Sequence, residues 1–376
     1  MSPLDKEQKR TPGPLAGMKL YRLLEPMPVE LDWLMQHLGP LGVTLAPLTL
    51  PAPTEPGALY LYNSTQRMEL PAEFLARVRS AGGCGLLHLG DEYFRSNLTN
   101  YAAFDFVVRM LSAAPINVPG IFPLALGLTN NLGPPVTTPA SERPLTWFFA
   151  GDWKADRNLM ANAFRHLPGG FLSMPKSFYG QRGISRADYL SKLASSRFAP
   201  SPAGNVCIET CRPYEALHFG AIPLLPKTRF ADTYRDLFGS HPLPTFYDWE
   251  VARRFAEAQL KSPRTLDTLQ SECLDWWAKE QVLITNRLEA FIAEGRAGAF
   301  RGSLQSRFAD RGLGKFERMQ VLLGQQSPQR LMTRAGFAVE RIGYKLRTGK
   351  RLSGEWSIQD PPSPPPGRAE PQGVQE

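Results

Sequence analysis

The feature that most constrains the fold is an alternation of short apolar strands and amphipathic helices that runs twice along the chain. Residues 18–24 read as a strand and 29–38 as a helix with Leu31, Leu34, Met35 and Leu38 on one face. A strand at 59–62, a helix at 71–79 opened by proline, and a buried strand at 85–89 follow, and 101–111 carries helical spacing. After a proline-studded stretch the pattern restarts at 145–150 (LTWFFA). It continues through helical 157–164 and 188–195, extended 198–200, helical 213–219 and the apolar run 221–225. The segment 266–294 is one long amphipathic helix or two. Strands alternating with helices form βαβ units around parallel sheets. The expected fold is therefore α/β, with two Rossmann-like domains facing a cleft, because tandem domains of this kind bind ligands where the carboxyl ends of their strands meet.

The expected boundaries are a disordered polar N-terminus at 1–17, an N-terminal domain at 18–125, a linker at 126–144 and a C-terminal domain at 145–300. A basic helical extension at 301–352 and a disordered proline-rich tail at 353–376 complete the chain. Hydrophobic residues at 43% and charged residues at 21% of 376 exclude wholesale disorder, collagen and coiled coil. No apolar run is long enough to span a membrane. The least charged stretch is broken by Pro115, Pro119, Pro123, Pro134, Pro135 and Pro139. Charged residues lead the N-terminus with no apolar block behind them, so no secretory signal is expected, and a cytoplasmic protein is. Cys84, Cys207, Cys211 and Cys273 are too few and scattered for a disulfide framework. The CxxxC spacing of Cys207 and Cys211 lacks a second pair of ligands, so buried thiols are expected and a metal site is not.

The net charge of +8 is unevenly placed. Residues 301–352 hold twelve Lys/Arg against three acidic residues, while 1–300 are nearly balanced. A neutral body with one basic segment argues against a nucleic-acid partner, whose basic stripe would lie on the folded domain among stacking aromatics.

The chemistry concentrates between Tyr189 and Pro226. The small-residue loop Ser201-Pro202-Ala203-Gly204 follows an extended piece and lets backbone N–H groups approach an anion. Arg212 offers a fixed fork for phosphate, and Glu215 near a helix start can accept a pair of hydroxyls such as a ribose. Gly220 permits the left-handed turn before the next strand. No Walker-type loop, dinucleotide fingerprint or G-x-S-x-G motif occurs, and no Asp-x-Asp pair supports a divalent cation. The adjacent Trp276 and Trp277 are read as core aromatics.

The order Ser196, Phe198, Pro202, Gly204, Arg212, Glu215, Ala216, Leu217, Gly220, Ile222, Pro223 resembles the C-terminal half of the exostosin-like glycosyltransferases. FFAGDWKADR, ending at Arg157, resembles that family's strand-loop-helix. HLGDEYF, with Tyr101, Asp105 and Arg109 after it, resembles an N-terminal-domain motif of bacterial and algal members. The resemblance spans about residues 85–290. It implies a GT-B-like fold with a nucleotide sugar as donor substrate in the interdomain cleft, no metal or other cofactor, and a glycan or glycolipid acceptor. It implies Glu215 for donor hydroxyls and Arg157 and Arg212 for the leaving diphosphate, with Ser201 and Gly204 in the donor loop.

An inverting transfer needs a base for the acceptor hydroxyl. His88, Asp91 and Glu92 follow the strand 85–89 and are the candidates, Asp91 and Glu92 ahead of His88. Against these roles stand structural ones: Asp91 as a helix cap, His88 as a core residue, Arg157 as a solvated first-turn residue, and Arg212 with Glu215 as an ion pair. In the basic segment 314–351 cations interleave with Phe316, Met319 and other apolar residues. Such a segment can lie peripherally on an anionic membrane at its inner face, or serve as a solvated extension or oligomer contact. The rival to a transferase is a non-catalytic two-lobed scaffold docking through that segment, and a second rival is a sugar-nucleotide epimerase.

Overall fold

The structure, a computed structural model, describes residues 15–25, 28–63, 67–111, 113–152, 155–174, 183–204, 206–228 and 232–325. The expected disorder of 1–14, most of the basic segment and the proline-rich tail lie outside the described residues. Leu15 is wholly buried, so packed structure includes the last residues assigned to the polar N-terminus.

The first domain runs through β1 (Lys19–Arg22), α1 (Leu31–Leu38), β2 (Thr44–Leu45), β3 (Leu59–Asn63), α2 (Ala72–Ala81), β4 (Gly85–Leu89), β5 (Phe106–Arg109) and β6 (Ile121–Pro123). Its strands form one parallel sheet in the order β2-β1-β3-β4-β5-β6. Every residue of β4 and β5 is buried, as expected where helices cover both faces of a parallel sheet. The helix expected at 101–111 is not there. A 3-10 turn at Leu98–Ala103 is followed directly by β5, whose residues pair with Gly85–His88. Buried strand pairing overrides the local helical spacing.

The second domain contains β7 (Leu145–Ala150), α3 (Ala155–Phe164), β8 (Gly170–Ser173), α4 (Arg186–Ala194), β9 (Ser196–Pro200), α5 (Arg212–His218), β10 (Ile222–Pro226), α6 (Thr233–Phe238), β11 (Thr245–Phe246) and α7 (Trp249–Gln259). The sheet order is β11-β10-β9-β7-β8, again all parallel. The chain leaves β7 for one edge and then returns past it to β9. The carboxyl ends of β7 and β9 thus form a topological switch point, where doubly wound sheets open a crevice. Gly220, at φ 71, makes the left-handed turn between α5 and β10. The buried Arg143 closes the opposite end of this sheet by donating to the carbonyls of Thr138, Ser196 and Phe219.

The chain is thus an α/β protein of two Rossmann-like domains, and the helix α8 (Pro263–Arg296) joins them. At about 1.5 Å per residue its 34 residues span about 51 Å. Gln270 near its start donates to the carbonyls of Thr138 and Gly220 and accepts from Ala140 N–H, which fixes it to the second domain. Trp277 stacks on Trp33 of α1 at 5.6 Å and tilts onto Tyr214 of α5 at 5.3 Å, so one side chain touches both domains. At the far end Gly295 lies against Phe106 of β5. The single helix therefore does not end in the domain assigned to 145–300. Its buried residues recur every three or four positions, and this continuous stripe carries it onto the first domain. Beyond it, α9 (Arg301–Phe308) packs on that domain, where Arg301 pairs with the buried Asp105. The helix α10 (Lys315–Gln325) turns back, and Gln325 Oε1 accepts from Ile208 N–H of the second domain at 3.1 Å. No helix among the described residues is long and apolar enough to cross a membrane.

Candidate functional site

The switch point of the second sheet carries a cavity of about 520 Å³. Ala150 and Gly151 after β7, Ser173 at the end of β8, Arg186 and Tyr189 on α4, and Arg212 and Glu215 on α5 line it, with Thr129 reaching in from the linker. Two guanidinium groups converge beside it, of which Arg212 lines the cavity and Arg157 lies behind the lining. Arg157, in the first turn of α3, and Arg212, at the first residue of α5, lie 5.8 and 4.9 Å from the centroid of the same Phe149 ring. Arg157 Nη1 donates to Asp152 O at 3.1 Å and Arg212 Nη2 to Ala150 O at 3.3 Å. Gly151 lies between them. A Cβ there would stand 2.5 Å from Arg212 Nη2 and 3.2 Å from Arg157 Nη1, so the space above that backbone is reserved for the two cations. The Nε of Arg212 is buried without a hydrogen-bond partner among the described residues. The charged residues lining the cavity are Arg186 and Arg212 against Glu215, a net positive charge suited to an anion with several oxygens.

Glu215 is nearly buried on the wall of the same cavity. Its carboxylate accepts from Thr129 Oγ1 at 2.6 Å and from Tyr189 Oη at 2.7 Å. The partners of Glu215 are thus hydroxyls, the kind of group a ribose or hexose presents. Burial, and then the Glu215 carboxylate, push the Tyr189 phenol well above its ordinary range, so it stays protonated and donates. Arg186 donates to Asn130 O at 2.6 Å and ties α4 to the linker beside the cavity. Thr129, Tyr189 and Arg186 were not singled out from the sequence.

Ser201 does not reach the cavity wall. It is wholly buried, its hydroxyl donates to Ala199 O at 3.0 Å, and its N–H continues the sheet to Leu224 O. Gly204 closes a tight turn with its N–H on Cys207 O and faces the first domain, where a Cβ would stand 3.0 Å from Glu92 Oε1. Cys207 is buried, as read, and its thiol donates to Glu92 O.

The three base candidates separate sharply. His88 is wholly buried in β4. Its Nδ1 faces Arg109 Nη1 at 2.8 Å and Tyr101 Oη at 2.5 Å, so it accepts, and Nε2 donates to Ser96 Oγ at 3.2 Å. Burial, and then the Arg109 charge, hold the imidazole at about 3, so it is neutral. Asp91 is buried too. Its Oδ2 accepts from Arg109 Nη2 at 2.7 Å and its Oδ1 from the N–H groups of Arg95 and Ser96. Burial raises its pKa, but the Arg109 charge, the hydrogen bonds and His88 outweigh that and hold it below the usual carboxylate range. Both residues are thus spent inside the first domain, Asp91 as a cap on its loop and His88 as a satisfied core residue. Only Glu92, half-buried, faces the second domain.

Among the described residues no group of three His, Cys, Asp or Glu could hold a metal ion. A second cavity of about 360 Å³ lies at the ends of β10 and β11, lined by Lys227, Tyr247, Asp248 and Trp249 among others.

The fold defines the chain as a two-domain, doubly wound α/β protein with an arginine-lined cavity at one switch point. No family model matches the chain, and no curated protein does. Solved structures similar to it include two that cover most of the chain. A crystal structure of an alpha1,3-fucosyltransferase aligns with 78% of this chain and 93% of its own at 10% identity and a TM-score of 0.43. HepE of Anabaena, in complex with UDP-glucose, aligns with 73% of this chain and 98% of its own at 14% identity and a TM-score of 0.42.

Proposed function

We propose that the protein is a glycosyltransferase of exostosin-like type that moves a sugar from a nucleoside-diphosphate donor to a hydroxyl of a glycan or glycolipid, with inversion. The observation that carries this reading is the convergence of Arg157 and Arg212 over Gly151, beside a carboxylate already engaged by hydroxyls. In this reading the diphosphate lies in the cavity against the guanidinium groups, and Glu215 takes hydroxyls of the ribose or the sugar. The acceptor oxygen attacks the anomeric carbon as the bond to the diphosphate breaks. Its proton passes to Glu92, and the charge gained by the leaving diphosphate is met by the two guanidinium groups without a metal. Groups fixed before the reaction stabilise that charge with little reorganisation, which is where the rate enhancement arises.

The acceptor would enter between the domains from the side of α10. That helix exposes Phe316 (66%) and Met319 (48%) beside Lys315, with the exposed Arg311 just before it. This pattern supports peripheral contact with an anionic membrane and a lipid-linked acceptor. Cosedimentation with phosphatidylglycerol vesicles, reduced in a Phe316→Asp, Met319→Asp variant, tests that part.

The test of the whole is incubation of the full chain with UDP- and GDP-sugars, with and without glycan or glycolipid acceptors, followed by detection of free nucleoside diphosphate and of the glycosylated product. Acceptor-dependent release supports a transferase. Conversion of the donor alone to a stereoisomer identifies an epimerase, and no turnover of any donor favours a scaffold.

A further inference from the structure

We propose that Arg109 is a positioning residue for Glu92, its buried guanidinium clamping the loop 90–96 so that the Glu92 carboxylate projects across the gap to Gly204. The proposal rests on the reading of Glu92 as the base.

Arg109 ends β5, in register with His88 of β4, and is wholly buried. Its fork serves three acceptors at once: Asp91 Oδ2 at 2.7 Å, Tyr101 Oη at 2.6 Å and His88 Nδ1 at 2.8 Å. The loop that starts one residue after β4 folds around this charge. Asp91 Oδ1 accepts from the N–H groups of Arg95 (2.8 Å) and Ser96 (3.2 Å), and Ser96 Oγ meets His88 Nε2. The Phe94 ring lies 5.7 Å from the Arg109 guanidinium carbon, and Phe94 takes a left-handed φ of 51 to reach that place. Residues 91, 94, 95 and 96 are thus fixed directly or through one bond by a single side chain.

Glu92 is the acidic residue of this loop whose carboxylate points elsewhere. Its N–H donates to Gly90 O, its carbonyl accepts from the Cys207 thiol at 3.2 Å, and its Oε1 lies where a side chain at 204 would collide with it. Asp91 and Glu92 are adjacent, so the clamp on one sets the direction of the other. A buried guanidinium suits this task because its planar fork fixes several directions, whereas an ammonium is a point charge that fixes none. Arg109→Lys therefore keeps the charge and loses the geometry. A displacement of about 1 Å at a reacting group is enough to cost about 100-fold in rate.

The test uses the full-length chain with one substitution, Arg109→Lys, and three measurements. Iodoacetamide labelling resolved cysteine by cysteine reads loop placement, because the Cys207 thiol is covered by Glu92, whereas Cys273 lies in the core on α8. Steady-state kinetics with the turned-over nucleotide sugar give kcat and donor KM, and thermal shift with UDP or GDP reads the donor pocket. Cys207 is expected to label about tenfold faster or more while Cys273 stays protected, which is the signature of local opening. The kcat is expected to fall about 100-fold with donor KM and thermal shift unchanged. Asp91→Asn, which leaves Arg109 in place, is expected to give the same pattern, with faster Cys207 labelling, lower kcat and unchanged donor KM and thermal shift, and serves if Arg109→Lys fails to fold. Parallel exposure of Cys207 and Cys273 in both variants would overturn the proposal, since it shows general loosening. Wild-type kcat in either folded variant beside an inactive Glu92→Gln would overturn the clamp alone. Wild-type turnover in Glu92→Gln would instead remove the base assignment on which the clamp depends.

Discussion

Arg157 and Arg212, 55 residues apart in sequence and on different helices, place their guanidinium groups over one aromatic ring, Phe149, and so close to Gly151 that a single methyl group there would collide with Arg212 Nη2.

Loss of either cation is expected to weaken both donor binding and transfer. Arg157→Ala and Arg212→Ala should each lower kcat/KM for the donor by about 100- to 1000-fold, the range seen when one preorganised donor to a developing anion is removed. The apoprotein should melt no lower than wild type by more than a few degrees, and steady-state kinetics alongside thermal denaturation checks both points.

Gly151→Ala tests the same pocket without touching a charge. The added methyl would stand 2.5 Å from Arg212 Nη2 and force that group aside. Nucleoside-diphosphate affinity, read by calorimetry, should fall about tenfold or more while far-UV circular dichroism is unchanged. Gly133→Ala is unsuitable as its control because Gly133 has φ 79, whereas Gly302→Ala meets nothing within 4 Å and should bind as wild type.

Glu215→Gln keeps the size of the side chain but replaces one acceptor oxygen with a donor, opposite either Thr129 or Tyr189. Donor KM should rise about tenfold or more, with a smaller change in kcat, if the carboxylate holds donor hydroxyls. A fall in kcat at unchanged KM would mark instead an interaction made only in the transition state.

A pH dependence is built into the junction between linker and second domain. Glu209 is buried, and its Oε1 accepts from Leu126 N–H at 2.8 Å and from Tyr214 Oη at 2.6 Å. Burial outweighs these bonds and raises its pKa from 4.5 to about 7. The raised value means that the folded state keeps the proton longer than the unfolded chain. Glu209 thus contributes fully below about pH 4.5, and that stability is lost as the pH rises to about 7. Glu209→Gln does not titrate, so its folding constant relative to wild type should increase by up to about tenfold per pH unit across this window and level off above it. Urea denaturation at pH 5, 6, 7 and 8 follows the trend, and a constant difference at all four values would contradict it.

Much of this architecture was legible in the sequence because parallel strands covered on both faces leave a local mark. Gly85–Leu89 and Leu145–Ala150 are apolar at almost every position, and the structure begins and ends both strands at those residues. The segment 101–111 misled because Tyr101, Phe104, Val108 and Leu111 recur at helical intervals, whereas its pairing with β4 depends on residues about twenty positions away. The same distance hid the hydroxyl partners of Glu215. Thr129 lies 86 residues and Tyr189 26 residues before it, and neither carries a local motif. Asp91 and Glu92 could not be ranked from sequence, since adjacent carboxylates after a strand look alike until Arg109, 18 residues beyond Asp91, selects one for burial. Ser201 stood out for its place in a small-residue loop, but the sheet continues through its backbone and turns its hydroxyl inward.

The central claim is that the second domain grips a diphosphate between Arg157 and Arg212, and isothermal titration of the full chain with UDP and GDP, in wild type and in the Arg157→Ala, Arg212→Ala double variant, tests it most directly. The account predicts saturable one-site binding of at least one of the two nucleotides to wild type, weakened about 100-fold or more in the folded double variant. Binding of equal strength in both proteins, or no heat with either nucleotide in wild type, would contradict it.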